Sequence, residues 1–257
     1  DGSKLYMVGY QTVDGNTDVV MTSYDPSGAL NTSFGTNGIK VFDFGADEKA
    51  FGIIENSDLY VGYTSFNGTH TEICIMRMDT SGTLDDDAGA NESGTRCTVE
   101  STTLEAHDMI NKSSTTYIVG TRHGSDKDSV WIKFNSSLSF QDDSPLITDE
   151  SGASRDDEAT TIFNADADKY IIAGNTVTAN GDTDIFIRYV DNKNVNESGF
   201  NSGSARFVDI QGNNQNDTAT KVHGDKGGSF SAFIVGHTEL TNGKKDAAVV
   251  VVDKDGN

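Results

Sequence analysis

Residues 18–25, DVVMTSYD, decide the reading of this chain, because four later segments repeat their design: 72–79 (EICIMRMD), 128–135 (DSVWIKFN), 184–191 (DIFIRYVD) and 246–253 (DAAVVVVD). Each opens on a carboxylate, runs through six mostly apolar residues and closes on Asp or Asn seven positions later, and the starts lie 54, 56, 56 and 62 residues apart. A fixed period of this length marks stacked supersecondary units such as propeller blades. The runs are short, rich in β-branched residues and bounded by polar turn formers, which favours strands over buried helix. They do not alternate strictly, so both faces of the strand must be covered.

Working outward, a small-residue pair precedes each segment by eight to ten residues: Val8-Gly9, Val61-Gly62, Val119-Gly120, Ala173-Gly174 and Val235-Gly236. A third element begins near Ala50, Ala106, Ala159 and Ala219, each preceded by acidic or polar residues. A fourth is expected at 39–44, 97–99, 146–148 and 207–210. Four short strands in about 55 residues is the content of a blade. The expected fold is all-β, a β-propeller of four-stranded antiparallel blades. About 4.5 repeats are present, near 1–48, 49–104, 105–157, 158–216 and 217–257, as a partial or five-bladed ring. A β-solenoid fits less well, its rungs being shorter.

The chain has 257 residues, with 40 acidic against 19 basic and a formal charge of -21. That charge excludes sequence-independent nucleic-acid binding and disfavours anionic membrane surfaces. With 27 glycines but two prolines, the composition describes many tight turns. No run of 18 apolar residues exists, so no membrane insertion is expected.

The stretch Tyr24-Asp25-Pro26-Ser27-Gly28-Ala29-Leu30-Asn31-Thr32-Ser33-Phe34-Gly35-Thr36-Asn37-Gly38 resembles the signature of the bacterial delta-60 repeat family, a strand followed by an Asp-x-x-Gly turn and a Ser-Phe-Gly segment. Parts of it recur at Met78-Asp79-Thr80-Ser81-Gly82-Thr83-Leu84 and Val252-Asp253-Lys254-Asp255-Gly256. The resemblance implies a propeller-like array in large exported bacterial proteins and supplies no catalytic residues. By analogy with related propellers, the alanine element is innermost and the element containing Phe42 outermost. The first blade then lacks an inner strand and the last an outer one, so further chain or a second molecule is expected at the open edges.

Calcium is the one cofactor the residues suggest. Alternating oxygen side chains precede three of the motif strands: Asp14, Asn16 and Asp18; Asp126 and Asp128; Asn180, Asp182 and Asp184. Such oxygens on a tight turn can converge on a hard cation, although Asp and Asn also form turns by bonding their own backbone. Cys74 and Cys97 fall on adjacent expected strands and form either a cross-strand disulfide or two buried thiols. His70, His107, His123, His223 and His237 share no repeat position, and Trp131 reads as core. The acid runs Asp85-Asp86-Asp87 and Asp156-Asp157-Glu158 would serve glycoside hydrolysis only if two carboxyls faced one cleft. Asn-x-Ser/Thr sequons start at Asn31, Asn67, Asn91, Asn111, Asn135, Asn196 and Asn216. With no catalytic constellation, the expected function is a non-enzymatic binding or adhesion module of a secreted or cell-surface bacterial protein, presenting loops to a protein or glycan partner. A carbohydrate-active enzyme, a glycosidase or lyase with funnel carboxylates, and a structural spacer are the alternatives.

Overall fold

A computed structural model describes residues 4–90, 93–141, 144–150, 154–210, 212, 215–227 and 230–257; the Asn91 sequon lies outside them. Among the described residues the chain forms eighteen β-strands in five sheets and no α-helix. The first sheet holds β1 (Leu5–Val13), β2 (Asn16–Tyr24) and β3 (Ile39–Phe42). The second holds β4 (Asp47–Asn56), β5 (Asp58–Phe66), β6 (Thr71–Met78) and β7 (Thr95–Cys97). The third holds β8 (Thr103–Lys112), β9 (Thr115–His123), β10 (Lys127–Phe134) and β11 (Leu146–Thr148). The fourth holds β12 (Asp157–Asp166), β13 (Lys169–Val177), β14 (Thr183–Asp191) and β15 (Arg206–Val208), and the fifth β16 (Asp217–Gly224), β17 (Ser231–Glu239) and β18 (Lys245–Asp253).

Consecutive strands lie side by side, so the sheet order follows the sequence order. The motif strands are β2, β6, β10, β14 and β18. In the four-stranded sheets they are buried along nearly their whole length, both faces included, which is why their sequences are apolar without alternation. Strand β18, by contrast, exposes Val249 and Val251, and β1 exposes Leu5 and Met7. Three expected boundaries are corrected: the fourth element is Ile39–Phe42 and not 39–44, Thr95–Cys97 and not 97–99, and Arg206–Val208 and not 207–210. Thr98 leaves the ladder after donating its N–H to Ile73 O (2.9 Å) and accepting the Ile73 N–H on its hydroxyl (3.1 Å), and Val99 points into solvent.

Two compact units are distinguished, Asp1–Thr116 with Lys133–Gln141, and Tyr117–Ile132 with Asp142–Asn257. The core of the first gathers Val19, Met21, Phe34, Leu59, Tyr63 and Met76. That of the second gathers Phe163, Ile171, Ile185, Tyr189, Phe230 and Ile234.

Side-chain hydrogen bonds recur with the period. The Asp or Asn that closes each motif accepts the backbone N–H groups two and four residues on: Asp25 from Ser27 and Ala29, Asp79 from Ser81 and Thr83, Asn135 from Ser137 and Ser139, Asp191 from Lys193 and Val195, Asp253 from Asp255 and Asn257. One oxygen thus satisfies two donors that a tight turn would orphan. A second tie joins each sheet to the alanine strand that follows: the residue before the motif acid donates its N–H to a side chain three before the alanine. The pairs are Thr17 to Asp47, Thr71 to Thr103, Lys127 to Asp156 and Thr183 to Asn216. A third uses the acid two before the alanine, which accepts a loop N–H: Glu48 from Phe44, Asp157 from Glu150, Asp217 from Ile210. The repeated glycine has its own cause. Next to it the alanine strand bulges between Ala159 and Thr161 and between Ala219 and Lys221. A Cβ on Gly174 would sit 2.0 Å from Glu158 O, and one on Gly236 1.8 Å from Thr218 O.

Candidate functional site

The hairpin oxygens proposed from sequence are placed as follows. Asp14, at φ 52, and Gly15, at φ 88, make the two-residue turn between β1 and β2. The Asn16 amide donates to Asp18 Oδ1 at 2.6 Å. Asp126 accepts the Ser125 hydroxyl at 2.8 Å, while Asp128 is paired with the Arg122 guanidinium, Nε to Oδ2 at 3.0 Å. Asn180 donates its N–H to Thr178 Oγ1, and Asp182 accepts that same hydroxyl's proton. Among the described residues, the acid that begins the apolar run meets carboxylates from other segments in two of these hairpins.

Two such meetings occupy equivalent places in the repeat. In the first unit Asp18, Asp43 and Glu48 bring carboxyl oxygens within 4.8 Å of one another, and in the second unit Asp184, Asp209 and Asp217 do the same. In each trio one acid starts the motif, the next follows the short fourth strand, and the third stands two before the alanine. Sequence reading named Asp18 and Asp184 but missed Asp43, Glu48, Asp209 and Asp217. Their common spacing from strand and alanine was the available signal. Burial, with Asp43 and Asp18 alongside, pushes the Glu48 carboxyl up. Burial and then Asp182, Asp209 and Asp217 push Asp184 up to about 6.

Two cavities of the second unit lie beside the Asp184 trio. One, of about 160 Å³, is lined by Arg155, Thr176, Val177, Ala179, Asp184 and the half-exposed Phe207. The other, of about 210 Å³, is lined by Lys127, Asp156, Glu158, Asn175 and Thr183 and shares Thr176 and Val177 as a common wall. Here Asp156 and Glu158, from the acid run singled out in the sequence, face one space. Asp157 between them turns away and is wholly buried. Lys127 reaches both: its N–H donates to Asp156 Oδ1 at 3.0 Å and its ammonium pairs with Glu158 Oε1.

No family model matches the chain, and no curated protein matches it. Among solved structures it superposes with a TM-score of 0.57 on a subtype N10 neuraminidase-like protein from a little yellow-shouldered bat isolate, at 10% identity, over 96% of this chain and 75% of that one. The fold resembles that of the N10 protein. The catalytic domain of a GH62 α-L-arabinofuranosidase of Coprinopsis cinerea gives a TM-score of 0.43 at 9% identity, over 99% of this chain and 88% of that one. The likeness to the N10 protein is one of fold, and it turns the reading away from the expected non-enzymatic binding or adhesion module and toward its stated alternative, taken up below.

The remaining sequence candidates are placed as follows. Cys74 and Cys97 are register partners on β6 and β7 and form a disulfide. Trp131 is core, edge-on to Tyr117 and Tyr170. A buried ion pair escaped the sequence altogether: Arg188 Nη1 lies 3.0 Å from Glu150 Oε1, with the two side chains 6% and 4% exposed. No described helix is long and apolar enough to cross a membrane.

Proposed function

We propose that the chain is a carbohydrate-active enzyme of the glycoside-hydrolase kind, built on propeller blades of the delta-60 type and exported from its cell. The observation that carries this reading is the pair Asp156 and Glu158 facing one cavity. Glycoside cleavage needs two carboxyl groups flanking the scissile bond, one to protonate the leaving oxygen and one to act as base or nucleophile. Two residues along extended chain span about 6–7 Å, at the lower edge of the ~6.5–9.5 Å separation of inverting enzymes. Glu158, paired with the Lys127 ammonium, takes the role of the base that activates water. Asp156 spends one oxygen on the Lys127 N–H and takes the proton-donor role with the other. In the neighbouring cavity the exposed Phe207 ring offers an apolar face to a pyranose or furanose, and Arg155, anchored through Nε to Val177 O at 2.8 Å, offers a cationic wall. The two cavities together fall in the size range of small-molecule sites. Export is supported by the Cys74–Cys97 disulfide, a bond that persists in oxidising compartments.

The test is hydrolysis by the purified chain of a panel of aryl glycosides and plant and animal polysaccharides. Asp156→Asn and Glu158→Gln should each lower kcat at least ~100-fold with an unchanged melting temperature. Proton NMR of the first product should show inversion at the anomeric carbon. Activity that survives both substitutions, or none on any substrate, removes the assignment.

A further inference from the structure

The trio Asp184, Asp209 and Asp217 supplies neither carboxyl of the reaction proposed above, although Asp184 lines the cavity beside it. Asp217 is wholly buried; its Oδ2 accepts the Ile210 N–H at 2.6 Å, while its Oδ1 is shielded from water and has no hydrogen-bond partner among the described residues. Asp184 Oδ1 is in the same condition. So are the hydroxyl oxygens of Thr176 and Thr238, the register partners of Asp184 and Asp217. A buried carboxylate oxygen without a donor is costly, and two like charges beside it make it costlier.

The earlier repeats treat the equivalent acids differently. In the first, Glu48 accepts the N–H groups of Phe44 and Ala46 and the Ser65 hydroxyl, and Asp18 accepts the Asn16 amide. In the second, the places of the second and third acids are taken by Val99 and Leu104, so no trio exists. In the third, Arg122, two residues after its glycine as Thr176 is two after Gly174, pairs its guanidinium with Asp128, the counterpart of Asp184. The fourth repeat keeps all three acids and has a threonine where the arginine stood.

We propose that Asp184, Asp209 and Asp217 bind one hard divalent cation, calcium by preference, which stands in for the Arg122 guanidinium of the preceding repeat. Carboxylate and hydroxyl oxygens, without thiolate or imidazole, suit calcium and not zinc or copper. Calcium also tolerates the irregular geometry of ligands drawn from three strand ends. Asp184 and Thr176 line the 160 Å³ cavity, which gives the ion its way in. Bound there, it would fasten the end of β15 to the start of β16 within the second unit.

The test is calorimetric titration of the chelator-stripped full chain with calcium chloride, with melting curves alongside. One ion per chain is expected, and at a hundredfold excess over Kd a melting temperature raised by about 5–10 °C. Asp209→Asn should abolish both, whereas Asp86→Asn, on the exposed acid run, should change neither. Because a variant of these acids can fold poorly, Thr176→Arg is the second arm. It transplants the third repeat's solution, so it should fold, bind no calcium and melt without ion near the temperature of the calcium-loaded parent. The proposal is overturned if the parent binds no calcium, or if binding and the thermal shift persist in both Asp209→Asn and Thr176→Arg, which would place the ion on the general acidic surface. Neither readout depends on hydrolysis, so this result and that for Asp156 and Glu158 stand apart.

Discussion

Replacing Glu150 by Gln probes the buried ion pair with Arg188 through its pH dependence. Burial is the largest influence on this carboxyl and raises it from an ordinary 4.5; Arg188 opposes the rise, Asp157 and Asp149 add to it, and the result is about 7. The folded chain therefore binds a proton at Glu150 that the unfolded chain has already released between pH 4.5 and 7. A carboxyl raised on folding contributes stability that is complete below 4.5 and is lost as pH climbs through 7. A rise of this size corresponds to about 3 kcal/mol, taken as an order of magnitude. Glutamine keeps the shape of the protonated acid and cannot ionise, and Arg188 retains Asn196 Oδ1 at 2.9 Å and Asn194 O at 3.0 Å. Glu150→Gln should thus cost little at pH 4.5 and gain on the parent by about 3 kcal/mol by pH 8. Urea denaturation of both proteins at half-unit steps reads the difference directly. Parallel stability curves, or a variant that loses ground as pH rises, would mean that attraction to Arg188 outweighs burial, and the reasoning would fail.

Three further outcomes follow from the repeat. Gly236→Ala should destabilise by about 1–3 kcal/mol, as overpacking does, since its Cβ would meet Thr218 O at 1.8 Å; an unchanged denaturation midpoint would contradict the bulge geometry. Reducing the Cys74–Cys97 bond, which closes a separation of 23 residues, should cost about 3 kcal/mol by the chain-entropy relation, with melting in the presence of a phosphine reductant as the measure. Asn135→Asp should be neutral, because Asp holds the equivalent place in the other four turns, whereas Asn135→Ala should cost about 1 kcal/mol through loss of its bonds to the Ser137 and Ser139 N–H groups. Equal stability of the two variants would remove that turn's role.

Periodicity made the fold legible. Five apolar runs closed by Asp or Asn, a glycine eight to ten residues ahead of each and an alanine strand beyond are local features, and local hydrogen bonds such as Asp25 to Ser27 and Ala29 act within a few residues. Strand content, pairing order and the demand for cover on both faces are therefore written in the sequence itself. Carboxylate partners are not: Asp18 looked as though it belonged with Asp14 and Asn16, its neighbours along the chain, but it meets Asp43 and Glu48. Asp184 likewise meets Asp209 and Asp217, and Arg188 meets Glu150, 38 residues away. Such encounters are set where the end of one sheet reaches the first strand of the next, and a one-residue change in register would redirect every side chain involved. Spacing along a strand fixes which residues share its face, but only the packing of sheet on sheet brings charges from distant segments within reach of one another and withdraws the water that would otherwise have screened them.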